Sequence, residues 1–372
     1  MKNSRRYLAD QALADLEEKM VFVAGPRQVG KTTMARALLA DPKGYLNWDI
    51  PPHRDLILRG QWPEVPLLVL DEVHKFRKWR NMLKGLFDQH RERMRILVTG
   101  SARLDYYRFG GDSLQGRYHL LHLNPLSVAE LGLETPQDFK TLLSLGGFPE
   151  PFYAGSQDKA RRWSRGYRSR LLEEDLRGLE SVHDLGSLEQ MMIRLPDLVG
   201  SPLSINALRE DLQLNHHTVS RWAGILERMY AIFRLPPLGA PRIRAVKKEQ
   251  KHYHLDWTLP PRDAQRFENL VAVHLKKWVD FEADTKGREL ELRYFRDVQG
   301  REVDFVIVSD RQPVRFIECK WGDEGVHPAL RYAKERFPKA DFWQVTAAGT
   351  KDYRSADGIR VCPALTLLRE LV

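Results

Sequence analysis

The chain has 372 residues, 42% hydrophobic and 29% charged, a globular composition too long for one ordinary core, so two or three domains are expected. No apolar stretch approaches the roughly 20 residues that cross a bilayer, and the basic start lacks the apolar run of a signal peptide, so no membrane partner is expected. A net charge of +9 with a pI near 9.4 suits a polyanion, while Cys319 and Cys362 form neither a metal pattern nor a disulfide framework, which fits a reducing cytoplasm.

Residues 1–19 carry Leu8, Ala12, Leu13 and Leu16 at helical spacing and predict an amphipathic helix beside a first strand, Met20–Ala24. The strand leads into Gly25-Pro26-Arg27-Gln28-Val29-Gly30-Lys31-Thr32-Thr33 and then a helical run. Strand, glycine-rich turn and helix make this G-x-x-x-x-G-K-T match a phosphate-binding loop for a nucleoside triphosphate. Gly25 and Gly30 let backbone N–H groups turn toward phosphate oxygens, and the new helix adds its positive end. Lys31 is expected on the β- and γ-phosphates and the Thr32 hydroxyl on Mg²⁺.

Tyr45–Asp49 predicts a second strand, closed by Pro51-Pro52. Val65–Glu72 reads as a strand buried on both faces of a parallel sheet, with Asp71 and Glu72 at the carboxyl end where ligands sit. Asp71 is suited to Mg²⁺ through water, and Glu72 to activating the attacking water. A helix is expected over 75–93 and a further buried strand over Arg95–Ser101. Thr99 or Ser101 either senses the γ-phosphate or orients water, or is part of a plain strand-to-loop turn. Arg117, before the strand-like His119–Leu123, is a candidate arginine finger in cis or from a neighbouring subunit; the alternative is an ordinary surface or salt-bridged arginine.

The segments Gly25–Thr32, Leu70-Asp71-Glu72-Val73-His74, Val98–Ala102 and Gly116-Arg117-Tyr118, with Asn124–Leu131 and Gly146-Gly147-Phe148-Pro149-Glu150, resemble prokaryotic AAA+ superfamily ATPases that carry a conserved carboxyl-terminal domain of unknown function. The resemblance runs over nearly the whole chain and implies an ATP switch rather than a metabolic kinase.

Residues 158–200 are helical by pattern. Arg161, Arg162, Arg165, Arg168 and Arg170 alternate with Trp163 and Tyr167, as a nucleic-acid face or as a solvated helix paired with Glu173, Glu174 and Asp175. Leu203–Leu214 and Asn215–Met229 predict two helices across a tight turn, followed by strands at Ala231–Leu235 and Lys251–Leu255. This pattern resembles a winged helix-turn-helix. It presents His216, His217, Thr218, Ser220 and Arg221 to a groove, and Arg242, Arg244, Lys247 and Lys248 on a wing to phosphates. Such modules also serve as lids and protein-docking domains.

Arg301–Val308 and Pro313–Trp321 predict a hairpin that brings Asp304 near Glu318, with Glu318 and Lys320 on one strand face. Glu268 lies on an upstream helix, Gln265–Leu275. A helix acid, a strand aspartate and Glu-x-Lys resemble the PD-(D/E)XK nuclease superfamily, which implies that Asp304 and Glu318 hold Mg²⁺ and that Lys320 steadies charge, with Glu268 completing the set. The expected fold is therefore α/β: a P-loop NTPase parallel-sheet domain (1–135), a helical and winged-helix middle (136–255), and a restriction-endonuclease-like α/β domain (256–372). The expected function is that of an ATP-dependent DNA-processing protein, acting on DNA rather than RNA, in which ATP gates Mg²⁺-dependent cleavage of phosphodiester bonds by the nuclease-like carboxyl-terminal domain; the alternative is a non-cleaving ATP switch whose carboxyl-terminal domains bind nucleic acid or protein. A homo-oligomer or a protein partner fits either.

Overall fold

The computed structural model describes residues 5–100, 114–176, 184–239 and 250–372. Ser101 and the basic wing residues Arg242, Arg244, Lys247 and Lys248 lie outside them. Two compact units form, Met1–Asn124 with Asp284–Lys286, and Pro125–Ala283 with Gly287–Val372.

In the first unit, the parallel strands β1 (Met20–Ala24), β2 (Tyr45–Asn47), β3 (Leu67–Asp71), β4 (Arg95–Thr99) and β5 (Tyr118–His122) form one sheet in the order β2-β3-β4-β1-β5. All five residues of β1 are buried, as are the last four of β3 and of β4. That is why these strands read as continuous apolar runs rather than alternating ones. Phe22, Leu68, Leu70, Ile96 and Val98 pack on one face with Trp79, Leu83 and Leu86 of the helix Trp79–His90. The amino-terminal helix is shorter than expected, Ala9–Asp15, with Leu8, Ala12 and Leu16 buried and Leu13 partly exposed. Pro51-Pro52 does more than close β2: it opens a helix, Pro51–Arg59, because proline has its φ preset for the first helical turn and gives up no needed N–H there.

In the second unit, the helices Ile205–Asp211 and His216–Arg228 follow one another, and Ser204 and Asn215 cap them by accepting N–H bonds from Ala207 and Thr218. Strands β6 (Ile232–Leu235) and β7 (Lys251–His254) pair antiparallel. The long helix Asp263–Lys286 precedes a mixed six-stranded sheet. Its strands β8 (Leu290–Arg296), β9 (Glu302–Ser309) and β10 (Gln312–Lys320) are antiparallel neighbours. β10 then runs parallel to β11 (Asp341–Thr346). The β9–β10 turn places Asp310 and Arg311 at positive φ, as a two-residue hairpin requires.

Candidate functional sites

The phosphate-binding loop leaves β1 at its carboxyl end. Gly25 has φ 143°, and a Cβ there would lie 2.3 Å from the Leu123 carbonyl oxygen, so only glycine fits. Gln28 (φ 57°) and Gly30 (φ 101°) complete the curl. Arg6 braces it from below: this buried guanidinium donates to the carbonyls of Val29 and of Asn124. Lys31 is buried and donates to the Gly25 and Pro26 carbonyls at 2.9 and 2.7 Å, which points its ammonium into the loop.

The Thr32 hydroxyl donates to Asp71 Oδ2 at 2.8 Å, which joins the loop to the end of β3. Asp71 is 2% exposed. It also accepts from Thr99 Oγ1 (2.6 Å), the Tyr45 hydroxyl (2.7 Å) and Asn47 Nδ2 (3.2 Å). Thr99 thus orients Asp71. A buried carboxylate whose donors among the described residues are neutral, beside a threonine hydroxyl, is a donor set that fits a hard divalent cation. Glu72 follows in the left-handed region (φ 58°), with its carboxylate 3.3 Å from Lys75 Nζ. Burial pushes the Glu72 carboxyl upward, against the charges of Lys75 and Lys31.

Arg117 is not brought to this loop. Its carbonyl bonds the N–H of Met20, at the amino end of β1, whereas the loop begins beyond Ala24 at the other end. Its guanidinium instead makes two bonds to Asp88, at 2.9 and 3.2 Å. The five-residue strand between them separates the two positions within one chain.

The carboxyl-terminal acids do converge. The Cys319 N–H donates to Asp304 Oδ2 at 3.0 Å, the Asp304 N–H donates to Glu318 Oε2 at 3.3 Å, and Lys320 Nζ lies 2.9 Å from Glu318 Oε1. Glu268 accepts from the Tyr253 hydroxyl at 2.7 Å. Sequence reasoning missed the group at the centre, Lys251, whose side chain is fully buried. Its Nζ lies 2.7 Å from Glu302, 3.2 Å from Asp304 and 3.4 Å from Glu268. Burial disfavours the Lys251 charge, but the Glu268, Asp304 and Glu302 carboxylates outweigh it and hold the ammonium above the ordinary lysine range. Burial and then the Asp304 charge push both Glu268 and Glu318 upward. Glu268, Glu302 and Asp304 do not offer a divalent ion a shared point, since an ammonium fills it. Among the described residues no group of three or more His, Cys, Asp or Glu is arranged to hold a metal.

Two basic surfaces lie in the second unit. His216, His217, Ser220 and Arg221 are exposed at the start of their helix. Arg161, Arg162, Arg165, Arg168 and Arg266 line a cavity of about 570 Å³. Arg161 pairs with Asp158 at 2.9 Å, whereas Trp163 and Tyr167 stack on the helix's buried side. No described helix is long and apolar enough to cross a membrane.

Comparison with known proteins bears on these sites. Residues 17–132 match a family model described as an AAA domain, and residues 136–260 and 265–367 match two domains of unknown function, DUF8612 and DUF4143. Uncharacterized proteins of Mycobacterium tuberculosis and Mycobacterium bovis are each 26% identical over 328 residues, 84% of this chain and 73% of theirs. Among solved structures, the Aeropyrum pernix ORC1 protein in complex with DNA is 14% identical at a TM-score of 0.33, over 72% of this chain and 91% of that one. A STAND signal-transduction ATPase with a tetratricopeptide repeat sensor from Pyrococcus horikoshii is 12% identical at a TM-score of 0.23, over 72% and 45%. The parallel sheet with its phosphate-binding loop is thus an AAA-type domain, followed by segments similar to two domains of unknown function.

Proposed function

We propose that this protein binds and hydrolyses ATP in its amino-terminal domain and uses the nucleotide state to control a contact with DNA made by two following domains, divided at 1–135, 136–255 and 256–372. The observation that carries the ATPase reading is the 2.8 Å bond between Thr32 and Asp71, which unites the two parts of a nucleotide site. Bound with ATP, Mg²⁺ would supply positive charge that neutralises the phosphates. Thr32 and Asp71 are the residues that would hold it, the latter kept in orientation by Thr99, Tyr45 and Asn47. The loop from Gly25 to Thr33 lines the phosphates, and Lys31 exchanges the carbonyls of Gly25 and Pro26 for phosphate oxygens. Glu72 takes the proton of the attacking water, and its upward-shifted carboxyl makes it a stronger base than an exposed glutamate. Ser101 remains the proposed γ-phosphate sensor, and Arg117 a finger for a neighbouring subunit in a homo-oligomer.

The DNA reading is supported by the +9 charge, the arginine-lined cavity and the exposed start of His216–Arg228. Phosphate release measured with and without duplex DNA over a salt series tests it. Stimulation by DNA that falls steeply with salt is expected; ATPase indifferent to DNA and RNA would point instead to a protein partner. A second reading, ATP-gated cleavage, is favoured by the meeting of Glu268, Asp304, Glu318 and Lys320. A nuclease assay on single-stranded, duplex and branched DNA, with Asp304→Ala and Lys320→Ala as controls, tests that reading. Cleavage lost in both variants would establish it. The arrangement around Lys251 favours the non-cleaving form.

A further inference from the structure

Lys251 reaches the acid cluster from a strand that the sequence assigns to the edge of a basic wing. Alternate residues of β7 share a side, and both Lys251 and Tyr253 touch Glu268, at 3.4 and 2.7 Å. The ammonium is enclosed: Glu302 and Asp304 come from β9 and Glu268 from the long helix, and the Tyr294 ring centroid lies 5.7 Å away. Glu268 also lies against Gly200, where an added Cβ would come within 2.7 Å of its Oε2, so the glycine leaves the space that this carboxylate occupies.

Carboxylates drawn together out of water need a cation. Mg²⁺ satisfies such a cluster at oxygen distances near 2.1 Å and keeps several of its waters. An ammonium satisfies it at about 2.7–2.9 Å, with directional N–H bonds and no water to activate. Around Lys251 Nζ, the 2.7 Å to Glu302 is that of an ammonium hydrogen bond, and Asp304 and Glu268, at 3.2 and 3.4 Å, are longer ion-pair contacts; none is near the ~2.1 Å of a metal ligand.

We infer that Lys251 is a built-in cation that takes the place of a divalent metal at the carboxyl-terminal acid cluster, so that Glu268, Glu302 and Asp304 are held together without Mg²⁺ and the cluster does not bind it. These three acids then serve architecture. This inference stands on the second unit alone and is independent of the ATPase reading.

The test counts Mn²⁺ bound to the nucleotide-free full-length protein by the electron paramagnetic resonance signal of the free ion. An Asp71→Asn background removes the carboxylate proposed to hold an ion in the first unit. Without Lys251→Met, the background protein is expected to hold no Mn²⁺ that Asp304→Asn abolishes. Lys251→Met leaves three carboxylates uncompensated and is expected to gain one site, at least about tenfold tighter than any binding before it, which a further Asp304→Asn removes. Its melting temperature is expected to rise with Mn²⁺ while that of the background protein does not. One equivalent of Mn²⁺ on the background protein, lost with Asp304→Asn, would overturn the inference. So would a folded Lys251→Met protein that gains no site. Where Lys251→Met does not fold, the count on the background protein decides alone.

Discussion

Asp71 allows the structural and chemical roles of one carboxylate to be separated. Its oxygens accept from Thr99, whose hydroxyl is fully buried, and from Tyr45, which is half-buried. Asp71→Ala removes both acceptors. An orphaned buried hydroxyl costs about 1–3 kcal/mol; Tyr45 recovers part of its loss from solvent, so a total of roughly 3 kcal/mol is expected. Asp71→Asn keeps an acceptor oxygen of the same shape and is expected to cost about 1 kcal/mol or less. For hydrolysis the order changes. Either substitution removes the negative charge beside Thr32, and a loss of at least about 10²-fold in kcat, near 2.7 kcal/mol, is expected from both. Urea unfolding and phosphate release at saturating ATP read the two effects separately. An Asp71→Asn protein that hydrolyses ATP at the wild-type rate would refute the ion-holding role, and an Asp71→Ala protein as stable as Asp71→Asn would refute the anchoring role.

Further outcomes follow from the second unit and the loop. Lys277 and Glu130, 2.6 Å apart with side chains 1% exposed, form a buried pair; Lys277→Met should cost about 3–5 kcal/mol in urea melts, and adding Glu130→Leu should recover most of it. Burial pushes His274 down to about 3, and its Nε2 accepts the Val128 N–H at 3.0 Å, so the folded ring is neutral. The unfolded state takes up that proton first, below about pH 6.5, so the histidine's contribution is intact above that pH and is lost as pH falls. His274→Gln keeps an acceptor without the titration, so wild type should lose roughly 2 kcal/mol relative to it between pH 7 and pH 5. The difference is the readout, because Glu268 and Glu318 are shifted in the opposite sense; a constant difference would contradict the prediction. Gly25→Ala should abolish nucleotide binding measured by calorimetry, since its Cβ meets the Leu123 carbonyl.

The legible parts of the chain were those whose partners lie close in sequence or whose burial leaves a run. Strands β1, β3 and β4 could be read because parallel strands covered on both faces are apolar throughout, and Asp71 and Glu72 because they end one of them. The β9–β10 hairpin was legible because its turn is short. Arg6 and Lys251 were not. Arg6 braces a carbonyl at Asn124, 118 residues on, and Lys251 meets Asp304 across 53 residues. Neither residue type announces burial, and β7 is buried on both sides, so Lys251, His252, Tyr253 and His254 show no alternation. Lys251 also follows a basic stretch, which made it look like a surface residue. Pro51-Pro52 in the sequence signals the end of a strand, although proline is equally a helix start. Arg117 precedes β5, and because β5 runs parallel to β1 that order places it at the amino end, away from the loop.

The most direct test of the ATPase reading is calorimetric titration of ATP with Mg²⁺ into wild type, Lys31→Ala and Glu72→Gln, followed by phosphate release on the same samples. The account predicts one saturable site in wild type, lost in Lys31→Ala, and retained in Glu72→Gln with hydrolysis abolished. Absence of binding by wild type, binding unchanged by Lys31→Ala, or full hydrolysis by Glu72→Gln would contradict it.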